Sequence, residues 1–285
     1  MITIGTRGSA LALAQTRLVA ERLGPDVEIR VLRTAGDASD RPIRELGDGV
    51  FVAALEEALR AREIDVAVHS LKDLPTEEPA DLVIAAIPIR EDPRDLLVTR
   101  ARHGLAGLPR AAVVGTSSPR RAAFLRVLRP DAVARDIRGN VDTRLRKVRD
   151  GEYDAVIVAA AGLRRLGTAF DESEALPLEL CPPAPGQGAL AVQTRAGDDR
   201  LASSLAALDD PATRAAVTAE RALLRAMGAS CEIPLGAIGR YEDGIVALDA
   251  AIADVDGVRR ASARGTDPLD VARRAADALG AAAHV

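Results

Sequence analysis

Apolar and polar positions alternate between two periods through the first two thirds of the chain. Ile2–Gly5, Val27–Arg33, Asp65–His69 and Leu82–Ile87 are short apolar runs bounded by turn-forming or charged residues, the pattern of strands. Between them, Ser9–Leu23 and Val50–Arg62 repeat Leu, Val and Ala at helical spacing. A second series follows, with strands at Leu96–Thr99, Ala112–Gly115, Val133–Ile137 and Asp154–Ala159 and helices near Pro119–Leu128 and Val141–Asp150. Such alternation predicts two parallel or mixed sheets covered by helices.

Two breaks divide the pattern. Pro88–Pro93 (PIREDP) separates the two series and reads as a hinge, and Cys181–Gly188 (CPPAPGQG) precedes another apolar strand, Ala189–Thr194. If that strand returns to the first sheet, the chain crosses twice between domains, which implies two hinges and a central cleft. After Pro211 come a helix over Ala212–Met227, a Gly-Ala-Ser-Cys loop, two strands at Ile245–Ala253 and Arg259–Gly265, and a helix over Pro268–Ala283. The expected architecture is α/β: domain 1 over 1–88 and 189–206, domain 2 over 93–182, and a small α+β domain 3 over 211–285.

Composition narrows the function. Of 285 residues 48% are hydrophobic and 28% charged, so sizeable cores are available and disorder is excluded. The longest stretch free of charged residues, Leu180–Thr194, is broken by Pro182, Pro183 and Pro185, so no membrane span is expected. The first residues carry Arg7, Arg17, Glu21 and Arg22 and read as strand and helix rather than signal peptide. Two cysteines, Cys181 and Cys231, give no disulfide framework and suit a reducing cytosol. Neither their spacing nor that of His69, His103 and His284 makes a metal site. Aromatic residues are 2% with no Trp, which disfavours ring-stacking on bases or sugars. The net charge of −4 hides a segregation: Arg110–Arg149 holds 11 Lys/Arg against three Asp. That region can focus a positive field on an anion while the whole chain stays acidic.

The chemistry-bearing residues sit where strands end. Ser117-Ser118-Pro119 is a helix start after a strand, with Arg120 and Arg121 in the first turn and Thr116 just before it. Free amides at such a start bind anions. Asp136–Arg144 repeats the logic, with Asn140 as cap and Arg138 and Arg144 beside it. Plain capping is the alternative reading of both. His69-Ser-Leu-Lys-Asp-Leu-Pro75 ends an apolar strand with polar groups, where α/β sheets bind ligands. An ordinary Lys72–Asp73 surface pair and a structural His69 stay open there.

Together these segments resemble the porphobilinogen deaminase (hydroxymethylbilane synthase) family. The matching stretches are Thr6–Gln15, His69–Pro75, Gly115–Arg121, Arg138–Arg144, Ala161–Gly167, Pro185–Gly188 and the Cys231 loop, in the family's order over nearly the whole chain. The resemblance implies two domains like the halves of type 2 periplasmic binding proteins, joined by two hinges, and a small third one. It implies a transferase that deaminates porphobilinogen and joins four molecules head-to-tail into hydroxymethylbilane, in tetrapyrrole (heme) biosynthesis. A dipyrromethane cofactor, bound by a thioether to Cys231, serves as primer. Because each pyrrole carries an acetate and a propionate, an arginine cluster is its natural complement. By resemblance Asp73 is the catalytic residue. Lys72, Ser70, Thr116, Ser117, Ser118, Arg120, Arg121, Arg138, Gly139, Arg144 and Gln187 join Cys231 in binding the cofactor. Arg7, Ser9, Arg138, Arg144 and Arg165 bind substrate. No metal, nucleic acid or membrane partner is expected, the cysteine usage implies a cytoplasmic location, and the family is generally monomeric.

Two departures from the family pattern stand out. Leu46-Gly-Asp-Gly-Val-Phe51 lacks the lysines common in the corresponding loop and is one residue shorter, and the cysteine loop reads Gly-Ala-Ser-Cys. Two other classes compete. A hinged module that only captures a small anion needs no Cys231, and a nucleic-acid binder using Arg110–Arg149 lacks aromatics and any helix-turn-helix or zinc-finger spacing.

Overall fold

A computed structural model describes residues 1–32, 52–100, 104–168, 173–228, 233–255 and 257–280. The chain divides into two compact units, Met1–Glu91 with Ala189–Arg214, and Asp92–Gly188 with Ala215–Val285.

The first unit contains β1 (Ile2–Arg7), α1 (Ala10–Leu23), β2 (Val27–Leu32), α2 (Ala53–Arg60), β3 (Val66–Ser70) and β4 (Leu82–Ala86). It closes with β10 (Leu190–Arg195) and α6 (Asp199–Ala206). Its sheet has the order β2-β1-β3-β10-β4, with β1 parallel to β2 and β3, and β10 antiparallel to β3 and β4. Ser9 starts α1 because its Oγ accepts the Ala12 amide at 3.2 Å, and Gly24, at φ +98°, ends it. Ile4, Val19, Val66, Val68, Leu190, Val192, Leu201 and Leu205 form the core that holds α1 and α6 to the sheet.

The second unit contains β5 (Asp95–Thr99), β6 (Val113–Gly115), α3 (Pro119–Leu128), β7 (Val133–Arg135), α4 (Val141–Arg149), β8 (Ala155–Ala159), α5 (Ala160–Arg165) and β9 (Ser173–Ala175). Its order is β7-β6-β8-β5-β9, with β6 parallel to β7 and β8, and β5 antiparallel to β8 and β9. The two sheets thus share one plan. In each, three parallel strands lie side by side at one edge of the sheet, and the antiparallel strand beside them is the one that follows a crossing of the chain between units. The expected return of Ala189–Thr194 to the first sheet is β10. Strand β8 is apolar on both faces: Ala155 and Ile157 pack with Val114 and Phe124, while Val156 and Val158 pack with Ile137, Leu145 and Val148. Burial on both sides is what a central strand between helical layers requires.

The C-terminal part of this unit has α7 (Pro211–Ala226, which begins in the first unit), β11 (Leu235–Glu242), β12 (Ile245–Asp254), β13 (Gly257–Gly265) and α8 (Pro268–Leu279). The three strands form an antiparallel meander. Leu223, Leu235, Val246, Leu248, Val271, Ala275 and Leu279 fill the core on one face. On the other, Ala251 and Ala253 pack with Phe124, Leu125 and Cys181. Helix α8 has a complete set of end signals: Asp267 caps it through the Leu269 amide at 2.9 Å, Pro268 follows, and Gly280 closes it at φ +79°.

Strand β11 is the element the sequence pattern hides. Its glycines at 236 and 239 weaken the strand signal. The fold needs them, because a Cβ at Gly236 would meet the Pro182 carbonyl and one at Gly239 the Ala216 carbonyl. The loop over Leu46–Phe51 and residues 229–232, Cys231 among them, lie outside the described residues.

Candidate functional site

In the first unit the polar residues gather at the carboxyl ends of β1 and β3. The register pairs Ile4 with Val66 and Gly5 with Ala67, so Arg7 and His69 lie two residues further along adjacent strands. His69 is buried, and its Nε2 lies 3.1 Å from Gln193 Oε1. Gln193 donates its own Nε2 to Glu56 Oε1 at 3.1 Å, which turns its oxygen toward the ring and makes His69 Nε2 the donor. Burial, with some repulsion from Arg7, depresses the imidazole pKa to about 4, so His69 is neutral at pH 7. That is the structural histidine of the two readings left open by the sequence.

Ser70 exchanges hydrogen bonds with Gln15 of α1, whose Nε2 donates to Ser70 Oγ at 2.9 Å. One 3-10 turn, Leu71–Asp73, follows. Leu71 and Leu74 are buried, and the Leu71 amide donates to the Ala189 carbonyl at 3.0 Å. The apolar anchors at either end push Lys72 and Asp73 into solvent. Among the described residues Asp73 makes no ion pair.

In the second unit the polar residues again gather past the parallel strands β6, β7 and β8. Ser118 caps α3 by accepting the Arg121 amide at 3.4 Å, and Pro119 opens the helix. Ser117 Oγ donates to the Ile137 carbonyl at 2.6 Å and accepts its amide at 3.2 Å, while Thr116 Oγ1 accepts the Ser118 amide. These hydroxyls shape the turn and tie it to the segment after β7. There Asn140 caps α4 and Arg144 Nε donates to the Gly139 carbonyl at 2.8 Å. Gly139 has φ +105°, and a Cβ would run into Thr143. Arg138 lies 3.6 Å from Asp136 and is half-exposed. Arg165, at the end of α5, donates to the Gly188 carbonyl at 2.6 Å.

Sequence position puts Arg120 and Arg121 at a helix start facing an anion, and the structure supplies an internal one, Asp95. Arg120 Nη2 and Arg121 Nη2 each lie 2.7 Å from its carboxylate, with all three side chains out of solvent. Arg120 Nη1 also donates to the Pro182 carbonyl at 2.7 Å, and Arg121 Nη1 to that of Ile157 at 3.1 Å. Gln187 Nε2 joins through Asp95 Oδ1 at 2.9 Å and the Pro93 carbonyl at 2.7 Å. Burial would raise the Asp95 pKa, but the two guanidinium groups outweigh it and hold the carboxyl well below its usual range.

Two cations on one anion leave an uncompensated positive charge. At Arg144, burial first and the Arg121 charge next lower the guanidinium pKa, with Arg138 adding to this and Asp136 opposing it. Arg144 has no carboxylate within ion-pair distance among the described residues, and Arg120 Nε is buried without a hydrogen-bond partner. Cys181, 3.9 Å from Asp95 Oδ2, is a buried thiol pushed up to about 11 by burial and the Asp95 charge, as suits a small core residue. No group of His, Cys, Asp and Glu among the described residues could hold a metal ion.

Asp95 is the residue the sequence pattern missed. Its signal was present: an acid at the head of an apolar strand destined for a buried sheet needs cationic partners. Glu220 of α7 was missed likewise. It is fully buried and accepts the Gly186 amide at 2.6 Å and the Gly239 amide at 2.7 Å, tying the Pro-Gly-Gln-Gly segment to β11.

Fold and site define an α/β protein whose polar and cationic side chains gather at the carboxyl ends of its parallel strands. Residues 2–203 match the family profile described as porphobilinogen deaminase, dipyromethane cofactor binding domain, and residues 214–281 its C-terminal domain. The porphobilinogen deaminase of Acidothermus cellulolyticus is 54% identical, over 99% of this chain and 90% of its own. That of Thermus thermophilus is 51% identical, over 90% of this chain and 86% of its own. Among solved structures, the second substrate-binding domain of a putative amino acid ABC transporter from Streptococcus pneumoniae is similar at TM-score 0.45 and 12% identity. The alignment covers 80% of this chain and 94% of that one. The chain belongs to the porphobilinogen deaminase family, and is a transferase of tetrapyrrole biosynthesis that uses a dipyrromethane cofactor.

Proposed function

We propose that the chain builds hydroxymethylbilane from four porphobilinogen molecules with Asp73 as the catalytic carboxylate, Cys231 as the thioether anchor, and the arginines of the second unit as receptors for pyrrole acetates and propionates. The observation that carries the reading is the geometry of the guanidinium groups: Arg120 and Arg121 share the single carboxylate of Asp95, and Arg144 has no carboxylate within ion-pair distance among the described residues. A dipyrromethane fits this donor set: it is a polycarboxylate, and forked guanidinium groups pair with carboxylates bidentately. When bound it supplies the free pyrrole α-carbon that attacks the deaminated substrate.

The chain's own residues divide the remaining work. Arg120, Arg121, Arg138 and Arg144 hold carboxylates, with Lys72 and Ser70 assisting. Thr116, Ser117, Ser118, Gly139 and Gln187 keep the surrounding turns in shape. Arg7, Ser9 and Arg165 join Arg138 and Arg144 in binding substrate. Asp73 accepts a hydrogen bond from the pyrrole N–H, offsets the positive charge that develops as ammonia leaves, and takes up the proton released on bond formation.

We assign domain 1 to 1–88 and 189–206, domain 2 to 93–182 and domain 3 to 211–285. The enzyme works as a cytoplasmic monomer on a small molecule, without nucleic acid or membrane partners. The test is ammonia release from porphobilinogen by the wild type, Asp73→Asn and Cys231→Ala. Activity in the first and none in the last supports the reading, and full activity in all three overturns it.

A further inference from the structure

We infer that Asp95 is a positioning residue for this reaction: it fixes Arg120 and Arg121 in the orientation that lets the guanidinium face of the second unit receive pyrrole carboxylates. The inference rests on the functional reading above and adds to it a residue that touches no ligand.

Geometry carries it. Asp95 opens β5, the strand that enters the sheet after the first crossing between units, and is fully buried. One carboxylate oxygen takes Arg120 Nη2 at 2.7 Å, and the other takes Arg121 Nη2 at 2.7 Å and Nε at 3.1 Å. Each guanidinium is also pinned to a backbone carbonyl, Arg120 to Pro182 and Arg121 to Ile157. A planar fork held at two points on different elements cannot rotate. Gln187 keeps Asp95 itself in place.

Stability alone does not account for the arrangement. Well-packed apolar side chains of similar volume often stabilise a core as well as a buried ion triad or better. What the triad supplies is a fixed direction for two guanidinium groups and a defined charge, with Arg121 among the charges that act on Arg144. Without Asp95 both forks lose their common anchor and turn toward other acceptors.

Three variants test this: Asp95→Asn, Asp95→Glu, and Asp95→Asn combined with Arg120→Gln, which restores the wild-type net charge. Circular dichroism reports folding, intact mass reports the fraction of chains carrying two added pyrroles, and kinetics on the loaded fraction report KM and kcat separately. The expected result is that Asp95→Asn loads at least tenfold less and shows at least a tenfold higher KM with kcat little changed. Asp95→Glu recovers part of both, and the charge-balanced double variant recovers neither. If Asp95→Asn does not fold, the other two variants decide by the same readouts. A lower melting temperature with wild-type loading and KM would make Asp95 a stabiliser only and overturn the inference, as would wild-type loading of the double variant. A wild-type chain without added mass would instead defeat the functional reading on which the inference rests.

Discussion

Arg121 Nη2 lies 2.7 Å from Asp95 Oδ1 in a place neither side chain shares with solvent, and Arg120 grips the other oxygen of the same carboxylate. A positive site is thereby anchored on a negative residue. Breaking a buried ion pair from one side strands the other charges, which costs about 3–5 kcal/mol.

Asp95 also sets an acid limit. Its folded pKa lies below the unfolded value of about 4, so its contribution is fully present above pH ~4 and is lost as pH falls from there toward the folded value. Unfolding free energy measured by urea between pH 5 and 2 should fall more steeply for the wild type than for Asp95→Asn. Equal slopes would mean that the carboxyl titrates normally in the folded chain.

His69 acts over a different window. Its folded pKa of about 4 lies below the unfolded 6.5, so the unfolded chain binds the proton first. Stability is whole above pH 6.5 and declines as pH falls toward 4, by up to about 3 kcal/mol for a shift of this size. His69→Gln should flatten the stability profile between pH 6.5 and 4. An unchanged profile would show that the imidazole protonates freely.

Gly236 and Gly239 hold β11 against carbonyls that leave no room for a methyl group. Gly239→Ala should destabilise the chain by about 1–3 kcal/mol, the usual range for overpacking. A chemical denaturation curve indistinguishable from the wild type would contradict it.

Much of this architecture was legible because each apolar run is short and each helix is punctuated. Ser9, Ser118-Pro119, Asn140 and Asp267-Pro268 mark four helix starts, and all four residues before the first helical position accept a helix amide. The return of Ala189–Thr194 to the first sheet was legible for the same reason: an apolar strand after a proline-rich break had to pair somewhere. Other features were not readable. The glycines of β11 answer to Pro182 and Ala216, residues far away in sequence, and the three-residue β9 carries no periodicity. The partnership of Asp95 with Arg120 and Arg121 spans about 25 residues, and which arginines face inward depends on packing that no local pattern encodes. In the first unit, the proximity of Arg7 to His69 follows only from the β1–β3 register.

Asp73 stands exposed between two buried leucines, so its removal should spare the fold. Asp73→Asn should keep the wild-type melting temperature and cofactor load while ammonia release slows by roughly 10²–10⁴-fold, the range for a lost general acid–base group. Near-normal release would take Asp73 out of the chemistry.

Arg144 contacts the Gly139 carbonyl but no internal carboxylate among the described residues. Arg144→Leu should therefore fold normally and raise KM by about 10–100-fold, as expected for one charge-assisted hydrogen-bond pair. Unchanged KM would mark Arg144 as a solvated side chain.

The intact mass of the purified protein, beside that of Cys231→Ala, tests the central claim most directly. The account predicts that the wild type exceeds its polypeptide by two pyrrole units, while Cys231→Ala has the bare polypeptide mass and releases no ammonia from porphobilinogen. A wild type at bare mass with undiminished ammonia release, or added mass that survives in Cys231→Ala, would contradict it.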